Sequence, residues 1–358
     1  MKKLSLVICM IILIIPLTLV IVLKNYIIKA DSLTSPVLNI DAHNISYKEN
    51  IELLYAISYE NISDENLDNV KLLVWRNASN SYTIENYSEK YDTKEILDGK
   101  LIFRVAGNSV KDIDKNIYAR AYININNEDY YSEVEKYSIL EYYQVGINSE
   151  SSTTDQIALY KSFLDYATNV QKVIGKNTTT PFNGNWYRVD TNGINLNDGF
   201  NHDYLYEGSL LSLNSNESDT NPYWICNNKL YNDSTLNLTI SENTTINYIS
   251  SASYATIISN EKMANSNYKD NIFLFSYNEY ATKAAFQNDC YKICLTKGED
   301  NYYSIEYYIG AGSQTKVSTC DYVICIHSNY ESSSSIYNQM LKNKRIEIYD
   351  NILVFYKN

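Results

Sequence analysis

Ile117-Tyr118-Ala119-Arg120-Ala121-Tyr122-Ile123-Asn124-Ile125, then Asn126-Asn127, then Tyr130-Tyr131-Ser132-Glu133-Val134-Glu135-Lys136-Tyr137 is the stretch on which the fold turns. Apolar and polar residues alternate with a period of two, β-branched and aromatic types dominate, and two asparagines that tolerate left-handed backbone separate the halves. The pattern predicts a β-hairpin. Upstream, residues 51–59, 70–76 and 101–106 repeat the alternation between clusters of Asn, Asp, Ser and Gly, and weaker strands are expected at 37–40 and 82–85.

About seven short strands in roughly 100 residues is the count of an immunoglobulin-like sandwich, expected over 36–138 with Trp75 in its core. Residues 139–175 read as a helical segment. Ser152 and Asp155 have the spacing of a capping box, and Gly175 can end the helix. Tyr160, Phe163, Leu164, Ala167, Val170 and Ile174 share one face, expected to pack on a neighbouring domain. Residues 176–184, with Thr178-Thr179-Thr180-Pro181, read as a linker. From 185 to 252 the alternation resumes, with Leu236, Leu238 and Ile240 on one face and Asn237 and Thr239 on the other. A third unit, 253–358, predicts strands at 271–277, 291–296, 302–309, 321–326 and 346–356 and a short helix at 335–341. The fold class expected is mainly β, with a C-terminal β-rich α+β unit.

Three segments carry resemblances. Tyr118-Ala119-Arg120-Ala121-Tyr122, Asp129-Tyr130-Tyr131-Ser132, Lys136-Tyr137-Ser138 and the helix with Phe163-Leu164-Asp165-Tyr166-Ala167 resemble a module of surface proteins from low-GC Gram-positive bacteria, over roughly 70–174. That family usually has a glycine where this chain has Ala167, and Asp-Gly in the turn where it has Asn127-Glu128. The resemblance implies location and architecture and brings no catalytic residues. Tyr204, Glu207-Gly208 before Ser209-Leu210-Leu211-Ser212-Leu213, Trp224, Asn227-Asn228, the strand at 235–240 and Asn243-Thr244-Thr245-Ile246 resemble a divergent internalin-B-type repeat. That implies a small β-grasp-like module serving as spacer or adhesive element. Asp321-Tyr322-Val323-Ile324-Cys325-Ile326-His327-Ser328 resembles a strand in the non-catalytic lead-in regions of bacterial phosphodiester-glycosidase proteins, whose Gly after His is Ser328 here. The chain ends at Asn358, before a catalytic domain would be expected.

Residues 4–23 are apolar without a charge and come directly after Lys2-Lys3. At ~1.5 Å per residue the run is long enough to cross a bilayer, so it is expected to act as an anchor. Pro16 within it and Ile28-Lys29-Ala30 after it equally fit a cleaved signal peptide over 1–30, and either reading exports the C-terminal remainder of the chain. A membrane is expected as partner only through 4–23 if they are retained. Lys2, Lys3, Lys24 and Lys29 are the only charges of the first thirty residues, leaving 26 basic against 42 acidic residues in the remainder. A formal charge of −16 there argues against nucleic acid and anionic membrane surfaces. The 36 tyrosines accompany abundant Asn, Ile and Lys, a mixture that AT-rich codons produce, and are given little functional weight. Asn44, Asn77 and Asn243 head Asn-x-Ser/Thr triplets, read as turns in a bacterial chain.

Chemistry is sparse. Cys226, Cys290, Cys294, Cys320 and Cys325 lie beyond the apolar run. Cys290 and Cys294 on one strand would stand ~13 Å apart, so a disulfide is expected from either of them to Cys320 or Cys325, with Cys226 the odd thiol. Cys-x3-Cys and Cys-x4-Cys permit zinc by spacing but lack tight turns between ligands. Cys325 and His327, two apart on one strand, form the one thiol–imidazole dyad that can be drawn, though ordinary strand alternation explains them as well. Only His43, His202 and His327 exist, none in a hydrolase motif. Asp190-Thr191-Asn192-Gly193 and Asn197-Asp198-Gly199 echo calcium loops with the glycine out of step, and read as turns. No metal or cofactor is expected. The function expected is a non-catalytic extracellular binding, adhesion or spacer protein with a glycan or protein ligand. The alternatives are a hydrolase or hydrolase fragment with its site in the C-terminal unit, and an accessory subunit presenting a partner. A pocket with convergent polar groups would favour the enzyme, and an exposed aromatic strip across a sheet would favour binding.

Overall fold

The computed structural model describes residues 35–46, 51–92, 95–176, 179–259, 272–282, 290–309, 320–327, 333–343, 345–350 and 352–357. The apolar run 4–23 lies outside them, and among the described residues no helix is long and apolar enough to cross a membrane. Contacts divide the chain between Asn183 and Gly184 into two compact units. Both are mainly β.

The first unit comprises β1 (Val37–Ser46), β2 (Glu52–Glu60), α1 (Asp64–Leu67), β3 (Lys71–Trp75), β4 (Glu89–Asp92), β5 (Glu95–Leu97), β6 (Lys100–Val105), β7 (Ile117–Ile125), β8 (Glu128–Tyr131) and β9 (Glu135–Tyr137). Two antiparallel sheets form, in the orders β1-β2-β6-β5 and β4-β3-β7-β8, with β9 also paired to β7. Alternate residues point inward: Leu53, Tyr55 and Ile57, Leu101, Phe103 and Val105, Leu72 and Val74, Ala119, Ala121 and Ile123 are all buried. Contacts of β1 with β7 and β8, and of β4 with β6, bring the two sheets together. Each large side chain among them contributes about 1.5–3 kcal/mol by leaving water. The hairpin turn is the expected one, with Asn126 and Asn127 at φ 55° and 65° between paired Ile125 and Glu128. His43 stacks on Tyr137 at 4.1 Å and sets Nε2 3.2 Å from Glu135 Oε1 without hydrogen-bond alignment, which ties β1 to β9.

The strand expected at 82–85 does not form. Side chains take its backbone groups instead: Arg120 Nη1 donates to the Tyr82 carbonyl (2.8 Å), the Ile84 N–H donates to Tyr131 Oη (3.3 Å), and the Thr83 N–H to Asn86 Oδ1 (3.1 Å). A segment so satisfied has no need of a ladder partner.

Two helices form where one was expected, α2 (Ile139–Asn148) and α3 (Thr154–Val173). Ser138 caps the first, accepting from Glu141 N at 3.0 Å. The capping box of α3 is Thr153 with Gln156, not Ser152 with Asp155: Thr153 Oγ1 accepts from Gln156 N (3.2 Å) and Gln156 Oε1 from Thr153 N (2.8 Å). Gly146 lets the helices approach, since a Cβ there would lie 2.4 Å from the Tyr160 ring. At the far end Gly175 takes φ +66°, and bonds from Lys176 N to Gln171 O and Gly175 N to Lys172 O close a Schellman motif. Of the expected stripe Tyr160, Leu164 and Ala167 are buried and Phe163 and Val170 half-buried, but Ile174, where the helix ends, is exposed, as are Leu159, Tyr166 and Val173 on the other side.

The second unit begins with β10 (Trp186–Asn192), β11 (His202–Tyr206), β12 (Leu210–Asn214), β13 (Tyr223–Cys226), β14 (Lys229–Tyr231), β15 (Thr235–Thr239) and β16 (Thr244–Ile249). The sheet order is β11-β10-β16-β13-β14 with β10 and β16 parallel, and β12 pairs separately with β15. No residue from 184 to 253 is helical. Val189, Leu196, Leu211, Leu213, Trp224, Leu236, Ile240 and Ile246 form its core, and Trp224 Nε1 donates to the Asp233 carbonyl at 2.7 Å. Gly193 is required where β10 leaves the sheet, because a Cβ would stand 2.7 Å from the Tyr248 carbonyl oxygen.

Then come β17 (Tyr254–Ser259), β18 (Ile272–Ser276), α4 (Tyr277–Thr282), β19 (Cys290–Lys297), β20 (Tyr303–Ile309), β21 (Tyr322–His327), α5 (Ser333–Lys342), β22 (Arg345–Tyr349) and β23 (Ile352–Tyr356). They build one antiparallel sheet, β17-β23-β22-β20-β19-β21-β18. The single strand expected at 346–356 is a hairpin, turned at Asp350 with φ 44°. Residues 185–252 and 253–358 each have a buried cluster of their own and share a third, in which Ile225 and Ile249 meet Ile352 and Val354. Asp219 holds the junction, accepting from Tyr248 Oη (2.7 Å), Ser251 N (3.2 Å) and Ser251 Oγ.

Candidate functional site

Cys325 is fully buried. Its strand is covered on both faces: Ile324 and Ile326 join a core with Ile293, Leu295 and Met340, while Cys325 is opposite Phe273 on β18 and Lys292 on β19, both buried. Cys290 and His327 occupy opposed positions of the β19–β21 ladder, and their side chains lie outside the described residues. A disulfide joins Cys294 to Cys320, whose Cα atoms are 5.4 Å apart. Cys226 and Cys325 are buried and take no part in a disulfide, and burial, aided by the Glu242 charge, pushes the Cys226 thiol up to about 11. A buried thiol of that kind is a small hydrophobe and not a nucleophile. Among the described residues no three His, Cys, Asp or Glu side chains converge as a metal site.

Of the two calcium-like segments only Asn197-Asp198-Gly199 is the expected turn; Asp190, Thr191 and Asn192 belong to β10, which is paired on both sides, and the chain bends at Gly193. Gly193 and Gly199 take φ +81° and +86°, Asp198 Oδ1 accepts from Phe200 N (3.2 Å), and Asp190 is engaged by Arg188 Nε at 2.8 and 2.9 Å. An open, polar depression of about 420 Å³ lined by Thr191, Asn192, Asn195, Asn201 and Asn216 lies beside them. In the first unit a cavity of about 240 Å³ is lined by Arg76, Asn108, Asp112 and Lys115. Its cations are engaged internally. Arg76 binds Glu89 through Nε (2.8 Å) and Nη2 (3.0 Å), Asn108 Oδ1 (2.7 Å) and the Ala106 carbonyl (2.6 Å), and Lys115 pairs with Asp112 at 3.2 Å. The Arg76 guanidinium and the Tyr91 phenol hold Glu89 below the usual carboxylate range against the opposing effect of burial.

Two sheet faces carry aromatic residues. On the first unit, Trp75 and Tyr118 face outward from β3 and β7 but are 2% and 4% exposed, because the segment 76–88 lies over them. Tyr82 packs edge-on against Trp75 at 5.1 Å, and Trp75 Nε1 donates to Asn86 Oδ1 at 3.1 Å. Arg120 fixes this cover through the Tyr82 carbonyl and through Nε to the Ser132 carbonyl (2.5 Å), with its guanidinium 4.5 Å from the Tyr131 ring.

On the second unit the cross-strand pairs Trp186–Tyr206, Arg188–Tyr204 and Asp190–His202 of β10 and β11 share one face, and all six residues are half-buried. Trp186 and Tyr206 meet edge-on with centroids 5.5 Å apart. Bonding to Asp190 raises the Arg188 guanidinium further above its ordinary value, against burial, so it is a fixed cation. Asn192 and Asn247 extend the row, joined at 2.8 Å, and toward β13 the same face turns apolar and packs on the C-terminal sheet through Ile225 and Ile249. Aromatic faces, a guanidinium, a carboxylate and amides on one half-open sheet match a ligand with apolar C–H faces and paired hydroxyls. Sequence reasoning noted Asp190, His202 and Tyr204 in other connections and did not bring the six together. Their signal was the alternation Trp186-x-Arg188-x-Asp190 and His202-x-Tyr204-x-Tyr206, hidden by setting tyrosine abundance aside as codon bias.

A third cavity, about 340 Å³, opens at one end of the C-terminal sheet between Leu274, Ser276, Glu279, Tyr303, Tyr322, Ile348 and Asp350. No family model, no curated protein and no solved structure matches this chain.

Proposed function

We propose that the chain is an exported surface protein of a low-GC Gram-positive bacterium that acts by binding a carbohydrate. The half-exposed row of Trp186, Tyr206, Tyr204, Arg188 and Asp190 carries this reading. Rigid rings present large contact area at small entropic cost, and the ion pair between them offers donors and acceptors already oriented. The modules around the row support a display role. In the first unit the orders β1-β2-β6-β5 and β4-β3-β7-β8 support the immunoglobulin-like reading, in which they would be strands A-B-E-D and C′-C-F-G. In the second, the mixed order β11-β10-β16-β13-β14 with first and last strands parallel supports the β-grasp-like reading, the β12–β15 ladder standing where a helix would cross. The Cys294–Cys320 bridge supports an oxidising compartment outside the cytoplasm.

A glycan array probed with residues 31–358 tests the ligand class. Binding to a defined set of glycans, lost in Trp186→Ala and weakened in Arg188→Ala, is the expected result. Binding unaffected by both substitutions sinks the assignment to this face. Protease shaving of intact cells tests the location, which fails if the chain survives while other surface proteins are stripped.

A further inference from the structure

We propose that the cavity at the end of the C-terminal sheet binds a small alkylated ammonium cation. Four strand ends and one helix start build it: β18 contributes Leu274 and Ser276, β20 Tyr303, β21 Tyr322, β22 Ile348, its turn Asp350, and α4 Glu279. The volume, about 340 Å³, falls in the range of small-molecule sites, roughly 300–1,000 Å³. Tyr303 and Tyr322 stand at 89° to each other with centroids 5.3 Å apart, forming a corner of two rings. Leu274 and Ile348 supply apolar wall, and none of the described lining residues is basic.

The mixture selects the ligand by elimination. Two carboxylates disfavour an anion. A hard metal ion demands six or more oxygen ligands, which a lining with two aliphatic side chains and two rings does not provide. A neutral apolar ligand would make no use of the Glu279 and Asp350 carboxylates that line the cavity beside the rings. An ammonium carrying methyl or methylene groups satisfies every part. Its charge meets the ring faces and the carboxylates, and its carbons meet Leu274 and Ile348. Glu279 is held at the mouth by Ser276, whose N–H and Oγ donate to its Oε2 at 3.2 and 3.3 Å. Those bonds orient a carboxylate that, when ionised, offers about four acceptor positions in all. Burial pushes the Tyr303 phenol up, so the ring stays neutral when a cation arrives.

The test is calorimetric titration of the full-length protein in neutral detergent with choline, with tetramethylammonium, and with 3,3-dimethylbutan-1-ol, the uncharged isostere of choline. Choline and tetramethylammonium are expected to bind, and the alcohol at least about tenfold more weakly. The pair Glu279→Gln and Asp350→Asn, which keeps shape and removes charge, should weaken choline about tenfold or more. Tyr303→Phe should leave affinity unchanged, and Tyr303→Leu should lose it. The proposal is overturned by equal affinity for the alcohol, by calcium competing choline away, by full affinity in the charge-free pair, or by no heat from either cation.

Discussion

The outer face of the β4-β3-β7-β8 sheet and the β10–β11 face both present tryptophan, tyrosine and arginine at alternate positions, yet the first is sealed and the second half-exposed. The difference lies in the connections. Between β3 and β4 the chain runs from 76 to 88 across the face, and Arg120, Tyr131 and Asn86 satisfy its backbone. Between β10 and β11 the loop folds the other way: Leu196 enters the core, and its N–H closes the loop on the Phe200 carbonyl at 2.7 Å. Whether an aromatic side chain is core or platform is thus decided by where the neighbouring loop finds an apolar anchor.

The largest expected effect tests that contrast directly. Trp75→Ala should cost about 3–5 kcal/mol in urea denaturation of the first unit, as for any buried large aromatic. Trp186→Ala should cost the second unit about 1 kcal/mol or less, since its ring already meets water. Equal losses would mean that the β10–β11 face is not open. Next in size, Arg120→Ala should cost about 2 kcal/mol, because two carbonyl acceptors lose a charged donor. It should also speed hydrogen exchange across 77–88. Unchanged protection there would show that the segment holds without its pin.

Much of this fold was legible in the sequence, because the period-two pattern at 117–125, 101–106 and 51–59 is strong and the Asn126-Asn127 turn is local chemistry. What was not legible depended on distant partners. Residues 82–85 have strand propensity, but Arg120 reaches their backbone from 38 positions away in sequence. Thr153 displaced Ser152 as cap because Gln156 returns the second bond of the box. The division expected at 252–253 tracks a change of pattern, whereas Ile225 and Val354 meet only once both sheets exist. Of the candidate residues, Cys325 and His327 alternate like any strand pair, and only burial separates a core thiol from a nucleophile. The β10–β11 row is the reverse case, since half-exposure cannot be read from alternation alone.

The C-terminal sheet adds a strand sealed on both faces, and there Cys325→Ala is expected to cost about 1–2 kcal/mol as a lower Tm. A thiol-directed reagent should leave Cys325 unmodified in the folded protein and label it after unfolding. Rapid, pH-dependent labelling in the folded state would reopen the catalytic reading.

The smallest expected effect separates the two kinds of pin. The sealed face is held by a guanidinium that stays charged at any ordinary pH, but the junction after β16 is held by a carboxylate that titrates. Burial acts to raise the pKa of Asp219, and bonds from Ser251, Tyr248 and the Asn221 N–H outweigh it, bringing the value down to about 2. A carboxylate whose folded pKa lies below its unfolded value, near 4, stabilises the fold fully above pH ~4, and that contribution is lost as pH falls toward 2. Because Asp219 is only half-buried, solvent screening reduces the contribution to about 1 kcal/mol or less. Urea midpoints of the second unit, measured from pH 5 to 2, should therefore fall more steeply in the wild type than in Asp219→Asn, while the first unit shows no difference between the two proteins. Parallel curves for the second unit would show that the loop at 215–221 is held by its packing and not by this carboxylate.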